Sequence, residues 1–244
     1  MNSVIELLKN DSQYYDGIGK QYLSNSDINA LLKSPKEFKA NREDCKAFAE
    51  GRYFHQLILE PEKAKSIVTI NASSRNTNIY KKAIEGSSET VMLLQKEAEA
   101  IEELVGTMTS NLHFYDLIYD DSNEFEVPAV RDIMGHMWKG KADIVGSDLL
   151  IDIKTTSDIT QFRWNAKEYN YDSQCFIYQE LFAKPLIFLV IDKMSGMLGE
   201  FIPTEEFVKG GADKVARAVK VYEKFFNEAT KTDDIDSFYI SENI

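Results

Sequence analysis

The chain has 244 residues, of which 43% are hydrophobic, and its 28 lysines and arginines against 40 acidic residues leave a formal net charge of −12. No apolar run approaches the roughly 20 residues of a membrane-spanning helix, and the acidic, interrupted start of the chain is not typical of a secretory signal. The two cysteines, Cys45 and Cys175, lie far apart and outside any CxxC pattern. They argue against a zinc or iron–sulfur site and favour a reducing compartment.

The first half of the chain is predicted to be mostly helical. Residues 1–22 are expected to form a flexible segment that can hold one short helix near residues 4–9. Ser24 or Ser26 can cap the helix that follows, and Pro35 suits the first position of the next one. Residues 71–88 are rich in Asn, Ser and Thr, which predicts a loop around a short helix. The other helical ranges predicted in this half are Asp44–Leu59, Ile79–Glu85, Glu89–Met108 and Leu112–Ile118.

The second half is predicted to alternate strands with helices. The apolar run over 185–192 is continuous, as expected of a strand that is buried on both faces. The predicted strands are Glu124–Arg131, His136–Val145, Leu149–Thr155, Pro185–Asp192 and Met197–Pro203. The predicted helices are Asp158–Lys167, Tyr171–Ala183 and Thr204–Ala229.

This order of elements predicts an α/β fold. Strands joined by tight turns form a meander, and the strand that follows two helices returns by a crossover, so a central mixed β-sheet flanked by helices accommodates both connections. The N-terminal helices form a helical lobe of the same domain. We therefore expect a flexible segment over 1–22, a single domain over 23–229 that is mostly helical over 23–118 and holds the sheet core over 123–229, and an acidic tail over 230–244.

The charges are clustered along the sequence. Acidic residues form one run from Asp116 to Glu126 that contains no base, and another over 233–236. A nucleic-acid-binding protein normally presents a basic face, and a protein that is acidic overall can still present a local basic track. The bases that form either such a track or solvated helix faces are Lys33, Lys36, Lys39, Arg42 and Lys46, and then Lys214, Arg217, Lys220 and Lys224.

The clearest chemical pattern lies within residues 140–156. Asp152 and Lys154 are two positions apart on a predicted strand, so their side chains share a face. The turn after Val145 folds the preceding strand back, which brings Asp143 beside Asp152. Two carboxylates and a lysine on one sheet edge can hold a divalent ion such as Mg²⁺ and stabilise charge on a phosphoryl group. A D-x-K pattern taken alone is more often a surface hairpin that carries an Asp–Lys ion pair.

Two helices carry further candidate residues. His55 lies on the third predicted helix, one turn after Gly51. Because a glycine inside a helix costs about 1 kcal/mol relative to alanine, we expect Gly51 to let another backbone or a substrate approach beside His55. The alternative interpretation of His55 is a buried histidine of the core with its hydrogen bonds satisfied. Gln174 and Tyr178 are one helical turn apart and share a face.

Taken together, these residues resemble the motif series of the PD-(D/E)xK nuclease superfamily, and within it the RecB-like group. The series is Gly51-x-x-x-His55, Asp143, Asp152-x-Lys154 and Gln174-x-x-x-Tyr178, in that order and on elements of the expected type. The segment DIKTTSDITQF, followed by a Tyr-rich stretch, is similar to RecE-type (exonuclease VIII-like) phage exonucleases. The proline that often precedes the first aspartate of the series is replaced here by Ala142.

The resemblance implies a PD-(D/E)xK restriction-endonuclease-like core and a role for each motif residue. His55, Asp143, Asp152 and the backbone carbonyl of Ile153 would bind two Mg²⁺ ions, with Mn²⁺ as a substitute and no iron–sulfur cluster. Lys154 would position or activate the attacking water, and Gln174 and Tyr178 would orient the phosphate or the lysine, as catalytic residues. The residues expected to contact DNA are Arg52, Lys141, Thr155, Thr156, Arg163 and Trp164, with a buried indole as the alternative for Trp164.

The resemblance also implies an activity and partners. The expected function is a metal-dependent exonuclease that degrades linear double-stranded DNA ends 5′→3′ and so generates single strands for recombination, repair and annealing. The alternatives are an endonuclease or a single-strand-specific nuclease on the same core, or an inactive DNA-binding scaffold. The expected partners are DNA ends, a single-strand annealing protein and further copies of the chain in a ring, with no membrane, in the cytoplasm of a bacterial or phage-infected cell.

Overall fold

The computed structural model describes residues 2–40, 44–87 and 89–239. Its helices are α1 (Asn2–Leu8), α2 (Asp11–Tyr15), α3 (Asn25–Lys33), α4 (Lys46–Leu59), α5 (Pro61–Ala64), α6 (Asn78–Glu85), α7 (Gln95–Ser110), α8 (Leu112–Ile118), α9 (Phe162–Glu168), α10 (Tyr171–Phe182) and α11 (Glu205–Phe225). Its strands are β1 (Thr69–Ile70), β2 (Leu93–Leu94), β3 (Glu124–Ile133), β4 (His136–Val145), β5 (Leu150–Thr156), β6 (Leu186–Asp192) and β7 (Leu198–Phe201). Among these helices, each is too short or too polar to traverse a lipid bilayer.

A five-stranded sheet with the order β3-β4-β5-β6-β7 forms the centre of the molecule. β5 and β6 are parallel, and the other neighbours are antiparallel. All seven residues of β6 are buried, as predicted from its continuous apolar run. The predicted α/β fold with a central mixed sheet flanked by helices is therefore confirmed.

Helices cover both faces of this sheet. On one face, Ile151 and Ile153 of β5 pack with residues of α4, α7 and α8 such as Phe54. On the other face, Leu150 of β5 packs with residues of α9 and α10 such as Cys175. Because side chains alternate along a strand, Asp152 lies on the same side as Leu150, toward α10.

The first residues, expected to form a flexible segment with one short helix, contain regular structure. Residues 2–22 contain α1, α2 and a 3-10 turn at Ile18–Gln21. Leu8 and Tyr14 are buried and form a small apolar cluster with Val130 of β3. The segment thus has an apolar partner on a strand more than 100 residues away, which local composition does not reveal.

Two differences concern residues 69–97. β1 and β2 form an unpredicted parallel pair, Thr69 with Leu93 and Ile70 with Leu94. The helix predicted to begin at Glu89 begins at Gln95, because Glu97 accepts a hydrogen bond from the backbone N–H of Leu94 at 3.0 Å and caps the helix there. Among the predicted bases, Arg42 lies outside the described residues.

Candidate active site

The candidate site lies where β4 and β5 separate. The two strands pair only at Ile144 with Ile151 and at Val145 with Leu150. Beyond this point the carboxylate of Asp143, on β4, accepts a hydrogen bond of 2.8 Å from the backbone N–H of Ile153. The Asp143 side chain thus takes the place of a backbone hydrogen bond between the two strands. Their separation leaves room for polar groups inside an otherwise apolar sheet.

His55 reaches this opening from α4. Its Nδ1 lies 3.4 Å from Oδ2 of Asp143. Burial by itself would lower the pKa of His55, but the Asp143 carboxylate outweighs burial and raises it. The same pairing lowers the pKa of Asp143, against the effect of burial. A Cβ placed on Gly51, one turn earlier, would meet nothing within 4 Å, so the expected close approach of another backbone at Gly51 is wrong.

Glu126, on β3, is a site residue that the sequence analysis missed. Its neighbours Phe125 and Val127 pair with Ile144 and Ala142 of β4, which sets Glu126 opposite Asp143. One ligand atom from each of His55, Glu126 and Asp143 lies within 4.8 Å of the other two. Burial and the Asp143 carboxylate raise the pKa of Glu126 to about 7. In the sequence, Glu126 is one more acid in a run without bases, and only the strand register distinguishes it.

Asp152 lies beside this group and contacts different partners. The carboxylate is 2% exposed. Its Oδ1 forms an ion pair with Lys154, and its Oδ2 accepts a hydrogen bond of 2.5 Å from Nε2 of Gln174 on α10. Burial raises the pKa of Asp152 to about 6, although Lys154 acts in the opposite direction. The Lys154 ammonium also lies 5.0 Å from the centre of the Tyr171 ring.

Tyr178 is one turn after Gln174 but contacts the backbone. Its hydroxyl donates a hydrogen bond of 3.0 Å to the carbonyl of Lys141 on β4. The ring packs over Gly140, where an added Cβ would lie 2.8 Å from Cε1 of Tyr178. In this conformation Tyr178 therefore holds α10 against β4. This contact sets the position of α10 along the strand, so that Gln174 lies beside Asp152.

The residues predicted to contact DNA lie on several elements and have different partners. Arg52 pairs with Asp44, and Lys141 pairs with Asp11 at 2.6 Å. Arg163 stacks on the ring of Trp164, with 4.4 Å from its guanidinium carbon to the ring centre. Trp164 is 61% exposed, so the alternative of a buried indole is wrong. Thr155 and Thr156, at the end of β5, are half-buried.

The two basic segments are largely occupied by acidic partners within the chain. Their closest ion pairs are Lys39 with Asp27 at 2.8 Å, Lys36 with Asp236 at 3.2 Å, Lys46 with Glu97 at 3.2 Å, Lys214 with Asp172 at 2.7 Å and Lys224 with Asp233 at 2.9 Å. The described part of the acidic tail thus supplies two of these partners.

The donor set at the site suits a divalent cation. Carboxylate oxygens are the ligands that Mg²⁺ prefers, and an imidazole nitrogen adds affinity for transition metals such as Mn²⁺. His55, Glu126 and Asp143 face one another at ligand distance, and Asp152 lies across the β4–β5 opening. Carboxylates gathered in a buried place repel one another unless a cation lies between them. This arrangement can therefore hold divalent ions next to a lysine.

Comparisons with known proteins identify a family and a similar fold. Residues 21–234 match the family described as a PDDEXK-like domain of unknown function (DUF3799). No curated protein matches the chain. A "Putative exonuclease" from Eubacterium rectale superposes with a TM-score of 0.64 at 14% identity, over 96% of this chain and 95% of the other. A phage-related exonuclease from Haemophilus somnus 129PT gives a TM-score of 0.35 at 15% identity, over 82% and 93% of the two chains.

The family match covers most of the chain, and the likeness to the Eubacterium rectale structure shows a shared fold. The resemblance to PD-(D/E)xK nucleases inferred from the motif series is thereby confirmed. The chain belongs to the family of PDDEXK-like domains of unknown function.

Proposed function

We propose that the chain is a divalent-metal-dependent DNA exonuclease that degrades linear double-stranded DNA from its 5′ ends and leaves single strands for recombination by annealing. The observation that carries the proposal is the meeting of His55, Glu126 and Asp143 beside the Asp152–Lys154 pair. Membership of the PDDEXK-like family implies nuclease chemistry. The similarity of the segment DIKTTSDITQF to RecE-type enzymes supports exonuclease activity in the 5′→3′ direction.

Four side chains and one backbone carbonyl are the proposed metal ligands. His55, Glu126, Asp143 and Asp152, with the Ile153 carbonyl, would hold two divalent ions. Bound ions of this kind make a nucleophile from water at neutral pH and neutralise charge on the transferred phosphoryl group. Gln174 orients the Asp152 carboxylate through its 2.5 Å hydrogen bond.

Lys154 is the group that would act on the reacting atoms. Its ammonium is held beside Asp152, within electrostatic reach of Asp143. From there it would donate hydrogen bonds to the attacking water or to a phosphoryl oxygen, where negative charge develops in the transition state. Attack of water in line with the leaving 3′ oxygen would break the phosphodiester bond.

The test uses linear double-stranded DNA labelled at either the 5′ or the 3′ end, together with a closed circle. Each is incubated with Mg²⁺, Mn²⁺ or EDTA, for the wild type, Lys154→Ala and the control Lys81→Ala, an exposed lysine on α6. We expect metal-dependent loss of the linear DNA alone, with the 5′ label released first. The rate should fall about 10²–10³-fold for Lys154→Ala only.

Other results would overturn parts of the proposal. Cutting of the circle would favour the endonuclease alternative, and early release of the 3′ label would reverse the direction. DNA binding without cleavage under any metal would favour the scaffold alternative. The proposal also includes a ring of several copies and a single-strand annealing protein, which light scattering and co-purification with a candidate annealing protein would test.

A further inference from the structure

A carboxylate from the N-terminal segment lies between two lysines next to the candidate site. Asp11, the first residue of α2, places Oδ1 at 2.6 Å from the ammonium of Lys141 and Oδ2 at 2.8 Å from the ammonium of Lys63. The two oxygens of one anionic group are thus shared between two cations. This is the arrangement that two lysines adopt around a phosphate group. Lys63 also pairs with Glu60, at 2.7 Å.

Lys141 connects this clamp to the site. It is on β4, two residues before Asp143, so both side chains point to the same face. Its ammonium lies 3.8 Å from Oε2 of Glu126, a member of the group that can hold a metal ion. An anion at the position of Asp11 is therefore separated from the candidate metal ligands by a single ammonium group.

The geometry points to a phosphate-binding site formed by Lys63 and Lys141, which Asp11 occupies in this conformation. The ligand would be a backbone phosphate of the DNA substrate, and the N-terminal segment would compete with it from within the same chain. This inference rests on the proposed function and adds to it a substrate contact and a competitor.

Exposure and packing make Asp11 displaceable. The Asp11 and Lys63 side chains are 44% and 42% exposed, whereas Lys141 is 6% exposed. The segment that carries Asp11 is held by the small cluster around Leu8 and Tyr14 and by a hydrogen bond from the Lys139 ammonium to the Tyr14 carbonyl. It also precedes residue 21, where the match to the family begins. An ion pair with one solvent-exposed partner is a weak constraint, so a polyanion can replace it.

The experiment measures binding of double-stranded DNA by fluorescence anisotropy at low salt in Ca²⁺. Every protein carries Lys154→Ala, so that cleavage does not interfere. Asp11→Asn removes the competing charge and keeps the shape of the side chain. Asp16→Asn is the matched control, because Asp16 lies at the end of the same helix and pairs only weakly with Lys20, at 3.6 Å.

We expect Asp11→Asn to bind DNA about fivefold more tightly, equivalent to about 1 kcal/mol, and Asp16→Asn to change the dissociation constant by less than about twofold. Adding Lys63→Gln to Asp11→Asn should remove the gain. Adding Lys65→Gln instead should preserve it, since Lys65 is 70% exposed and pairs with Glu62. Melting temperatures of all variants establish that they are folded.

Equal affinities of the Asp11→Asn and Asp16→Asn proteins would overturn the inference, as would equal effects of Lys63→Gln and Lys65→Gln. Cleavage of linear DNA by the protein with Lys154 intact, measured in parallel, would then leave the proposed function standing. No binding by any variant, together with no cleavage, would overturn both.

Discussion

At Glu126 the backbone of β3 takes the left-handed conformation, with φ at 51°. For a residue other than glycine this costs of order 1–3 kcal/mol and persists only where the surroundings enforce it. Here the flanking residues stay in register with β4 on both sides, and the carboxylate is directed to His55 and Asp143. The strained backbone of β3 thus lies at the residue whose carboxylate meets the other candidate metal ligands.

Replacing Glu126 by Gln is expected to weaken Mn²⁺ binding at least about tenfold, because a neutral amide oxygen replaces a charged ligand. Isothermal titration calorimetry measures this without any reaction. Glu124→Gln is the control, since Glu124 is an exposed acid on the same strand. Equal Mn²⁺ affinities of the two variants would exclude Glu126 as a ligand.

At the scale of elements, the placement of α10 matters most for the site, because this helix carries Gln174. It packs against both the sheet and α11. α11 approaches the start of α10 so closely that a Cβ on Gly211 would lie 2.0 Å from the carbonyl oxygen of Asp172. The neighbouring Gly210 meets nothing within 4 Å. The two adjacent glycines of one helix therefore have different physical reasons to be there.

Gly211→Ala is expected to destabilise the fold by about 3 kcal/mol, because backbone atoms must move apart to admit the methyl group. Gly210→Ala is expected to stabilise it by up to about 1 kcal/mol through helix propensity. Urea denaturation followed by circular dichroism measures both. Similar free energies of unfolding for the two variants would contradict the close α10–α11 contact.

The start of α7 depends on one carboxylate. Glu97 accepts hydrogen bonds from Arg75 at 2.7 and 2.8 Å and from the backbone N–H of Leu94. Although burial acts to raise the pKa of Glu97, Arg75 and the other donors lower it from 4.5 to about 2. The charged carboxylate thus anchors the loop between β1 and α6 to the start of α7.

Glu97→Gln is expected to cost about 2 kcal/mol at pH 7, since hydrogen bonds to a charged group are lost. The folded-state pKa is lower than the unfolded one, so this stabilisation is complete above about pH 4.5 and disappears as the pH falls toward 2. Urea titrations of both proteins at several pH values should therefore show a difference that shrinks with acidification. Glu103→Gln, an exposed change on the same helix, is the control, and a pH-independent difference would contradict this account.

At the scale of the whole molecule, the net charge of −12 is distributed so that acids lie both at the site and on the basic segments. The tail carboxylates of Asp233 and Asp236 neutralise Lys224 and Lys36, and Asp11 neutralises Lys63 and Lys141. A cation at the site would offset the remaining repulsion among buried carboxylates. We therefore expect metal ions to stabilise the entire fold.

Mn²⁺ at a free concentration about 100 times its dissociation constant should add about 2.7 kcal/mol, or about 5–10 °C in melting temperature for a chain of this size. Differential scanning fluorimetry against NaCl of equal ionic strength measures the effect. Asp143→Asn should abolish the rise, whereas Asp148→Asn, an exposed change in the β4–β5 turn, should keep it. A rise of equal size in both variants would place the metal elsewhere.

The motif residues were accessible from the sequence because their spacing is local. Asp152 and Lys154 share a strand face, Gln174 and Tyr178 share a helix face, and these periodicities hold wherever the elements lie. The mixed sheet followed in the same way from the order of apolar runs. Glu126, Asp11 and the exposure of Trp164 depend instead on strand register and on contacts between residues far apart in the chain. Only the tertiary structure decides that Glu126 faces His55 and that Asp11 pairs with the buried Lys141. The reason is that burial and pairing depend on how the whole chain packs.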